Sequence, residues 1–156
     1  MIKQDKVTIY TDGAAKGNPG PAGWGALFLV NNKVIEIGGG SKHATNNIME
    51  LTASIEALKH IKNKFTNIRH IEIVSDSKYV ILGITEWIFN WERNGWRNAA
   101  KKPVLNRELW EELYELNNEF KPKWTYVKGH NGNKYNERAD VIATSFAEGE
   151  PVELRK

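Results

Sequence analysis

Apolar and polar residues alternate from Lys6 to Thr11. Val7, Ile9 and Thr11 fall on one side, with Thr8, Tyr10 and Asp12 on the other. A period of two predicts a β-strand. Gly13–Gly25 is dense in Gly, Pro and Asn and is expected to be a loop. Gly25–Asn31 and Lys33–Gly38 predict two further strands about an Asn31-Asn32 turn. Turns this short join antiparallel neighbours, so the three strands should form a meander. The period then lengthens. Ile48, Leu51, Ile55, Leu58, Ile61 and Phe65 recur at helical spacing and predict a helix over Asn47–Lys64 with one buried stripe. His70–Ser75 predicts a fourth strand. Two short helices follow, Asp76–Leu82 and Ile84–Trp91, with a break near Gly83. Leu109, Leu113, Leu116 and Phe120 predict a helix over Asn106–Phe120. Lys123–Lys128 predicts a fifth strand, Gly129–Tyr135 a loop, and Asn136–Ala147 a last helix with Gly149 past its end. The order βββαβααβα predicts an α/β fold, a mixed sheet with helices on its faces.

The chain has 156 residues, which suits one domain over 1–147. The tail 148–156 is charged, contains Pro151 and is expected to fray. There is no Cys, which excludes disulfides, thiol nucleophiles and cysteine-held metals. No apolar run approaches a membrane span, and Met1–Lys6 leads straight into strand pattern without a signal segment, so the expected location is the cytoplasm. Lys and Arg exceed Asp and Glu by 22 to 19. That excess permits a polyanionic partner without requiring one. Nothing in the pattern marks a protein interface, so a monomer is expected.

Four acids stand near element ends, each with a local alternative. Asp12 ends the first strand and could equally be a turn residue in Asp12-Gly13. Asp76 ends the fourth strand and could cap the helix after it. Glu50 could complete a capping box in Asn47-Ile48-Met49-Glu50. Asp140, in the first turn of the last helix, would suit the helix dipole. If the first and fourth strands are parallel neighbours, Asp12 and Asp76 emerge together at their carboxyl ends, where open α/β sheets bind ligands. Several acids around one point need cations, and oxygen donors without Cys favour Mg2+, with Mn2+ as a substitute, over zinc. His130, in the polar loop Lys128-Gly129-His130-Asn131-Gly132-Asn133, is either a mobile acid–base group or simply solvated.

Together, several motifs resemble the ribonuclease H family. They are Thr11-Asp12-Gly13, Gly17-Asn18-Pro19-Gly20-Pro21-Ala22-Gly23-Trp24-Gly25, Thr45-Asn46-Asn47-Ile48-Met49-Glu50-Leu51, Ser75-Asp76-Ser77-Lys78-Tyr79-Val80, and Lys128-Gly129-His130 followed by Asn136-Glu137-Arg138-Ala139-Asp140. They occur in the family's order, and the resemblance runs from about Val7 to Ala147. Trp87 to Lys102 is similar to the basic handle of the bacterial type 1 branch, expected at about 84–104. The resemblance implies a ribonuclease H-like fold with a five-stranded mixed sheet. It also implies endonucleolytic cleavage of the RNA strand of RNA–DNA hybrids. Asp12, Glu50, Asp76 and Asp140 match the family's metal-binding acids, His130 its mobile catalytic histidine, and Asn18, Thr45 and Asn46 its contacts to the hybrid backbone. Lys78 stands where many bacterial relatives have Gln, and His43 where they often have Arg. The alternatives are a silent hybrid-binding module or another nuclease of the same fold class.

Two substrate strands need two readings. Gly13, Asn18 and their loop lie next to Asp12 and offer backbone and amide groups to a 2′-hydroxyl. Trp87, Arg93, Arg97, Lys101 and Lys102 place cations beside aromatics, which suits a DNA backbone. Trp91 and Trp96 are expected to pack instead.

Overall fold

A computed structural model describes residues 2–3, 6–129 and 132–156. Five strands form one sheet: β1 (Lys6–Ala15), β2 (Gly20–Val30), β3 (Lys33–Ala44), β4 (His70–Ser75) and β5 (Lys123–Tyr126). Their spatial order is β3-β2-β1-β4-β5. The β1–β2 and β2–β3 pairs are antiparallel, whereas β1–β4 and β4–β5 are parallel. The mixed sheet expected from the pattern is present, with its first three strands antiparallel.

Helix α1 (Asn46–Lys64) crosses one face of the sheet. Its stripe of Leu51, Ile55, Leu58 and Ile61 is buried against Val7, Ile9 and Phe28 of the strands. Helix α4 (Arg107–Phe120) lies beside α1 and adds Trp110, Leu113 and Leu116 to the same core. Helix α5 (Lys134–Ala147) covers the opposite face over β1, β2 and β3.

That helix explains a difference from the expected loop at Gly13–Gly25. Most of the stretch is strand, and only residues 16–19 turn between β1 and β2. In β2 and β3, Gly25 pairs with Gly38 and Gly23 with Gly40, which makes a patch without Cβ atoms. The backbone and side chains of α5 fill that space. A Cβ on Gly25 would lie 2.7 Å from Ile142 Cγ2, and one on Gly38 would lie 2.6 Å from Phe146 Cε2. The glycines are there for close packing.

At the expected break near Gly83 the regular α-helix does end, but the chain changes its winding without leaving the helix. Helix α2 (Lys78–Leu82) continues through a π-helical turn (Gly83–Trp87) into α3 (Ile88–Arg93). Gly83 lets the buried Trp110 ring press against the backbone, where a Cβ would stand 2.6 Å from Cζ2. The Trp110 indole N–H in turn donates to Tyr79 Oη at 3.0 Å. Gly83→Ala should therefore lower the unfolding free energy by roughly 1–3 kcal/mol through overpacking, measured by urea denaturation.

The tail differs most from expectation. Val152 N–H donates to Ser145 Oγ (3.1 Å), and Arg138 Nη2 donates to the Glu153 carbonyl (3.0 Å). Glu36 N–H donates to the Arg155 carbonyl (2.7 Å), and Arg155 N–H returns to Glu36 Oε1 (3.0 Å). The segment expected to fray is bonded by its backbone to both α5 and the edge strand β3.

Candidate active site

The local alternatives for the four acids each fail on geometry. Asp12 and Gly13 are inside β1, opposite Gly25 and Trp24, and not in a turn. The cap of α2 is Ser77, whose Oγ accepts from Val80 N–H at 3.2 Å, so Asp76 has no capping role. The cap of α1 is Thr45, which accepts from Ile48 N–H at 3.1 Å. This puts Glu50 in the second turn, beyond any capping box. Asn133 caps α5 by accepting from the N–H groups of Tyr135 and Asn136, both at 3.0 Å. Asp140 is therefore also in a second turn, past the reach of an N-terminal dipole effect.

What the acids share is place. The parallel β1–β4 register pairs Thr11 with Ser75, which brings the following residues, Asp12 and Asp76, to adjacent strand ends. Gly13 lets α1 approach closely, since a Cβ there would lie 2.5 Å from Glu50 N. Carboxylate oxygens of Asp12, Glu50 and Asp76 all lie within 4.8 Å of one another. Asp140 comes from the other face on α5 and sits within side-chain hydrogen-bonding reach of Asp12.

The electrostatics follow from this crowding. Burial, reinforced by the charges of Asp76 and Asp140, pushes the Asp12 carboxyl up to about 8, against a lowering hydrogen bond from Gly13 N–H. Burial and the charges of Asp12 and Asp76 push Glu50 well above the carboxylate range. Oε1 of Glu50 is buried and accepts no hydrogen bond from the described residues. Buried carboxyls facing one another keep their protons unless a positive charge joins them. An all-oxygen donor set with an unused buried oxygen fits a hard divalent cation.

Residues of the β1–β2 turn, of the start of α1 and of the stretch 79–106 line a groove of about 440 Å³. Its lining includes Asn18, Thr45 and Asn47 together with Tyr79, Asn98 and Asn106. Asn18 Oδ1 accepts from Asn46 N–H at 3.0 Å, which ties the β1–β2 turn to the start of α1. Asn106, expected to begin a helix, instead stands before it at φ 61° and donates to Tyr79 Oη at 3.1 Å. Sequence reasoning missed Asn106 and Tyr79 as groove residues. The one available signal was an Asn at a helix boundary, since Asn tolerates the left-handed region.

The remaining candidates are spread around this centre. Lys78 is exposed at the start of α2, its Nζ 5.6 Å from the Tyr126 ring centroid. His43 is exposed near the end of β3. In the handle, Trp96 is buried, and Trp91 meets the buried Trp110 edge-on with centroids 5.3 Å apart. Trp87 keeps 36% of its surface. Arg97 donates to the Lys101 carbonyl at 3.0 Å, and Arg93 to Asn90 Oδ1 at 2.5 Å. Lys101 and Lys102 are exposed. His130 lies outside the described residues. Its neighbour Gly129 is against Asp76, where a Cβ would stand 2.9 Å from Oδ2.

Fold and site together define an α/β enzyme with a carboxylate centre. Residues 4–148 match the family model described as RNase H. The chain is 50% identical over 148 residues to a ribonuclease H of Thermosynechococcus vestitus, covering 94% of this chain and 92% of that one. It is 52% identical over 143 residues to a ribonuclease H of Bradyrhizobium diazoefficiens, covering 92% and 90%. Among solved structures, LC9-RNase H1, described as a type 1 RNase H with the type 2 active-site motif, superposes with a TM-score of 0.81. It has 29% identity and covers 96% of this chain and 75% of its own. The chain belongs to the ribonuclease H family and is a nuclease of that family.

Proposed function

We propose that this protein hydrolyses the RNA strand of RNA–DNA hybrids by a two-metal-ion mechanism. The observation that carries the reading is the convergence of Asp12, Glu50 and Asp76, from three separate elements, within 4.8 Å. None of them caps a helix or closes a turn. With Asp140 they would hold two Mg2+ ions, or Mn2+ in their place. When bound, such ions supply activation of the attacking water and charge relief at the departing 3′ oxygen. The chain's own residues do the rest. The four carboxylates fix a place for cations and, without them, offer a phosphate no positive partner. His130 takes the role of proton shuttle, a part that imidazole chemistry suits.

The groove supplies substrate choice. Gly13, next to Asp12, and Asn18, Thr45 and Asn46 at the linked β1–β2 turn and α1 start would meet the RNA backbone and its 2′-hydroxyl, the group that distinguishes RNA from DNA. In the handle, Trp87, Arg93, Arg97, Lys101 and Lys102 would take the DNA strand, and Lys78 and His43 would add contacts to the duplex. A lysine at 78 meets phosphate as a point charge, and the His43 imidazole lacks the two-pronged donor fork with which an arginine holds it. Arg97 also braces its own loop, so Lys101 and Lys102 are the cleaner test of charge. Lys101→Ala with Lys102→Ala should reduce the slope of log affinity against log salt by roughly 0.9 for each phosphate no longer neutralised. Hybrid binding measured by fluorescence anisotropy across a salt series checks this.

A substrate panel tests the reading itself. Labelled RNA–DNA hybrid, duplex RNA and duplex DNA are incubated with Mg2+, with and without chelator. Cleavage confined to the RNA strand of the hybrid and abolished by chelator is expected. Chelator-resistant cleavage, or equal cleavage of duplex RNA, contradicts it.

A further inference from the structure

Three of the four acids are fixed by the sheet and by α1, but the fourth depends on how α5 is seated. The patch beneath α5 is unusual for a helix–sheet contact. Gly23, Gly25, Gly38 and Gly40 present no Cβ atoms to it. Helix packing is normally registered by side-chain ridges entering grooves. A glycine patch lets the helix come close but offers few ridges to stop it from sliding along its axis. Ile142 and Phe146 enter the patch from the helix side only.

Besides these side chains and the Tyr135 ring, whose centroid lies 5.3 Å from that of Tyr10 on β1, polar registration is supplied at the edge of the sheet. Glu36 of β3 has a side chain only 1% exposed. It receives Arg138 Nε at 2.8 Å and Nη2 at 3.0 Å, together with Arg155 N–H at 3.0 Å. Arg138 reaches on to the Glu153 carbonyl at 3.0 Å. Just over one helical turn beyond Asp140, Ser145 holds the tail a second time: its Oγ accepts from Val152 N–H at 3.1 Å, and its carbonyl accepts from Glu150 N–H at 3.0 Å. Residues 150–155 thus form a strap joined to α5 at Arg138 and Ser145, with Asp140 between them. Through Glu36 the strap is anchored to β3. A bidentate arginine–carboxylate pair fixes direction as well as distance.

We propose that this strap, acting through Glu36 and Arg138, sets the position of Asp140 in the carboxylate centre. Glu36 and Arg138 are then positioning residues, not catalytic ones. The inference rests on the reading of Asp140 as a cation-holding acid. It also gives the tail a role in the site, although no tail residue lies among the acids.

The test uses the full chain, Glu36→Gln, a chain ending at Gly149, and Leu116→Ala as a control. Leu116 is buried on α4, on the opposite side of the sheet from α5. Mg2+ is titrated into each protein without substrate, followed by backbone amide shifts and calorimetry. Hybrid cleavage is then measured across the same Mg2+ range. The Gly149-ending chain and Glu36→Gln should each bind Mg2+ about tenfold more weakly, the loss typical when an outer-shell support is removed. The Mg2+ needed for half-maximal cleavage should rise by the same factor, with kcat at saturating Mg2+ and KM for hybrid near wild-type values. Leu116→Ala should lose thermal stability without a change in Mg2+ affinity. If the shortened chain does not fold, Glu36→Gln decides. Wild-type Mg2+ affinity in the folded tail variants overturns the proposal, as does an equal loss in Leu116→Ala. A wild-type chain that neither binds Mg2+ nor cleaves hybrid overturns the nuclease reading, and this inference falls with it.

Discussion

Asp12→Asn is expected to lower Mg2+-dependent hybrid cleavage by at least about 10³-fold, because it removes the carboxylate nearest to all the others. The same substitution should stabilise the metal-free protein. The sign follows from the site's protonation. Folded Asp12 titrates at about 8, whereas an unfolded Asp releases its proton near 4. Between those values the folded state holds the extra proton, so stability conferred below pH 4 is lost as pH rises through 8. Glu50, raised by burial and by the same neighbours, adds a loss of the same sign. The metal-free wild-type protein should therefore melt at progressively lower temperature from pH 5 to pH 8. Asp12→Asn should flatten that slope and melt higher at pH 8, by roughly 5 °C. Mg2+ should raise the wild-type melting temperature and leave the variant nearly unmoved. Activity loss with gain of stability separates a functional acid from a structural one, whose removal would lower both. Thermal melts across pH, with and without Mg2+, alongside cleavage rates, make the comparison.

His130→Ala is expected to slow turnover by roughly 10²–10⁴-fold while hybrid affinity remains close to wild type. A proton shuttle contributes to the reacting step and not to the grip on the duplex, so kcat falls and KM holds. The rate of the variant should also lose the pH dependence that a histidine imparts. Single-turnover cleavage and anisotropy on the same hybrid distinguish the outcomes. A variant that binds tenfold more weakly but turns over normally would reassign His130 to substrate binding.

The order of elements was legible because each segment keeps a clean period. The alternation at Val7–Thr11 and the Leu51–Ile61 stripe both correspond to what is buried. The glycine-rich stretch misled because Gly favours loops by local propensity, and what decides its state is a helix more than a hundred residues later. Gly25 and Gly38 are strand residues because Ile142 and Phe146 need their space. The tail misled for the same reason. Its charge and its Pro151 read as solvent-exposed chain, but Glu36 and Arg138, which hold it, carry no local mark of doing so.

The acids show the opposite case. One at a time, each had a sufficient local explanation, and the explanations depended on helix starts that pattern reading places only within a few residues. Thr45 in place of Asn47 as the cap of α1, and Asn133 as the cap of α5, moved Glu50 and Asp140 out of their first turns. Once the caps are known, the bland readings lapse and only the convergence remains. Asn106 and Tyr79 had no such pattern, because a hydrogen bond between groove residues 27 apart is visible only after folding.

The claim on which the account stands is that these carboxylates form one cation-holding centre. Diffraction from crystals grown with Mn2+, recorded at a wavelength where manganese scatters anomalously, tests it most directly. An anomalous peak is expected within bonding distance of Asp12, Glu50 and Asp76, and its loss in Asp12→Asn crystals. Full Mn2+ occupancy elsewhere on the protein with none among these three side chains would contradict it.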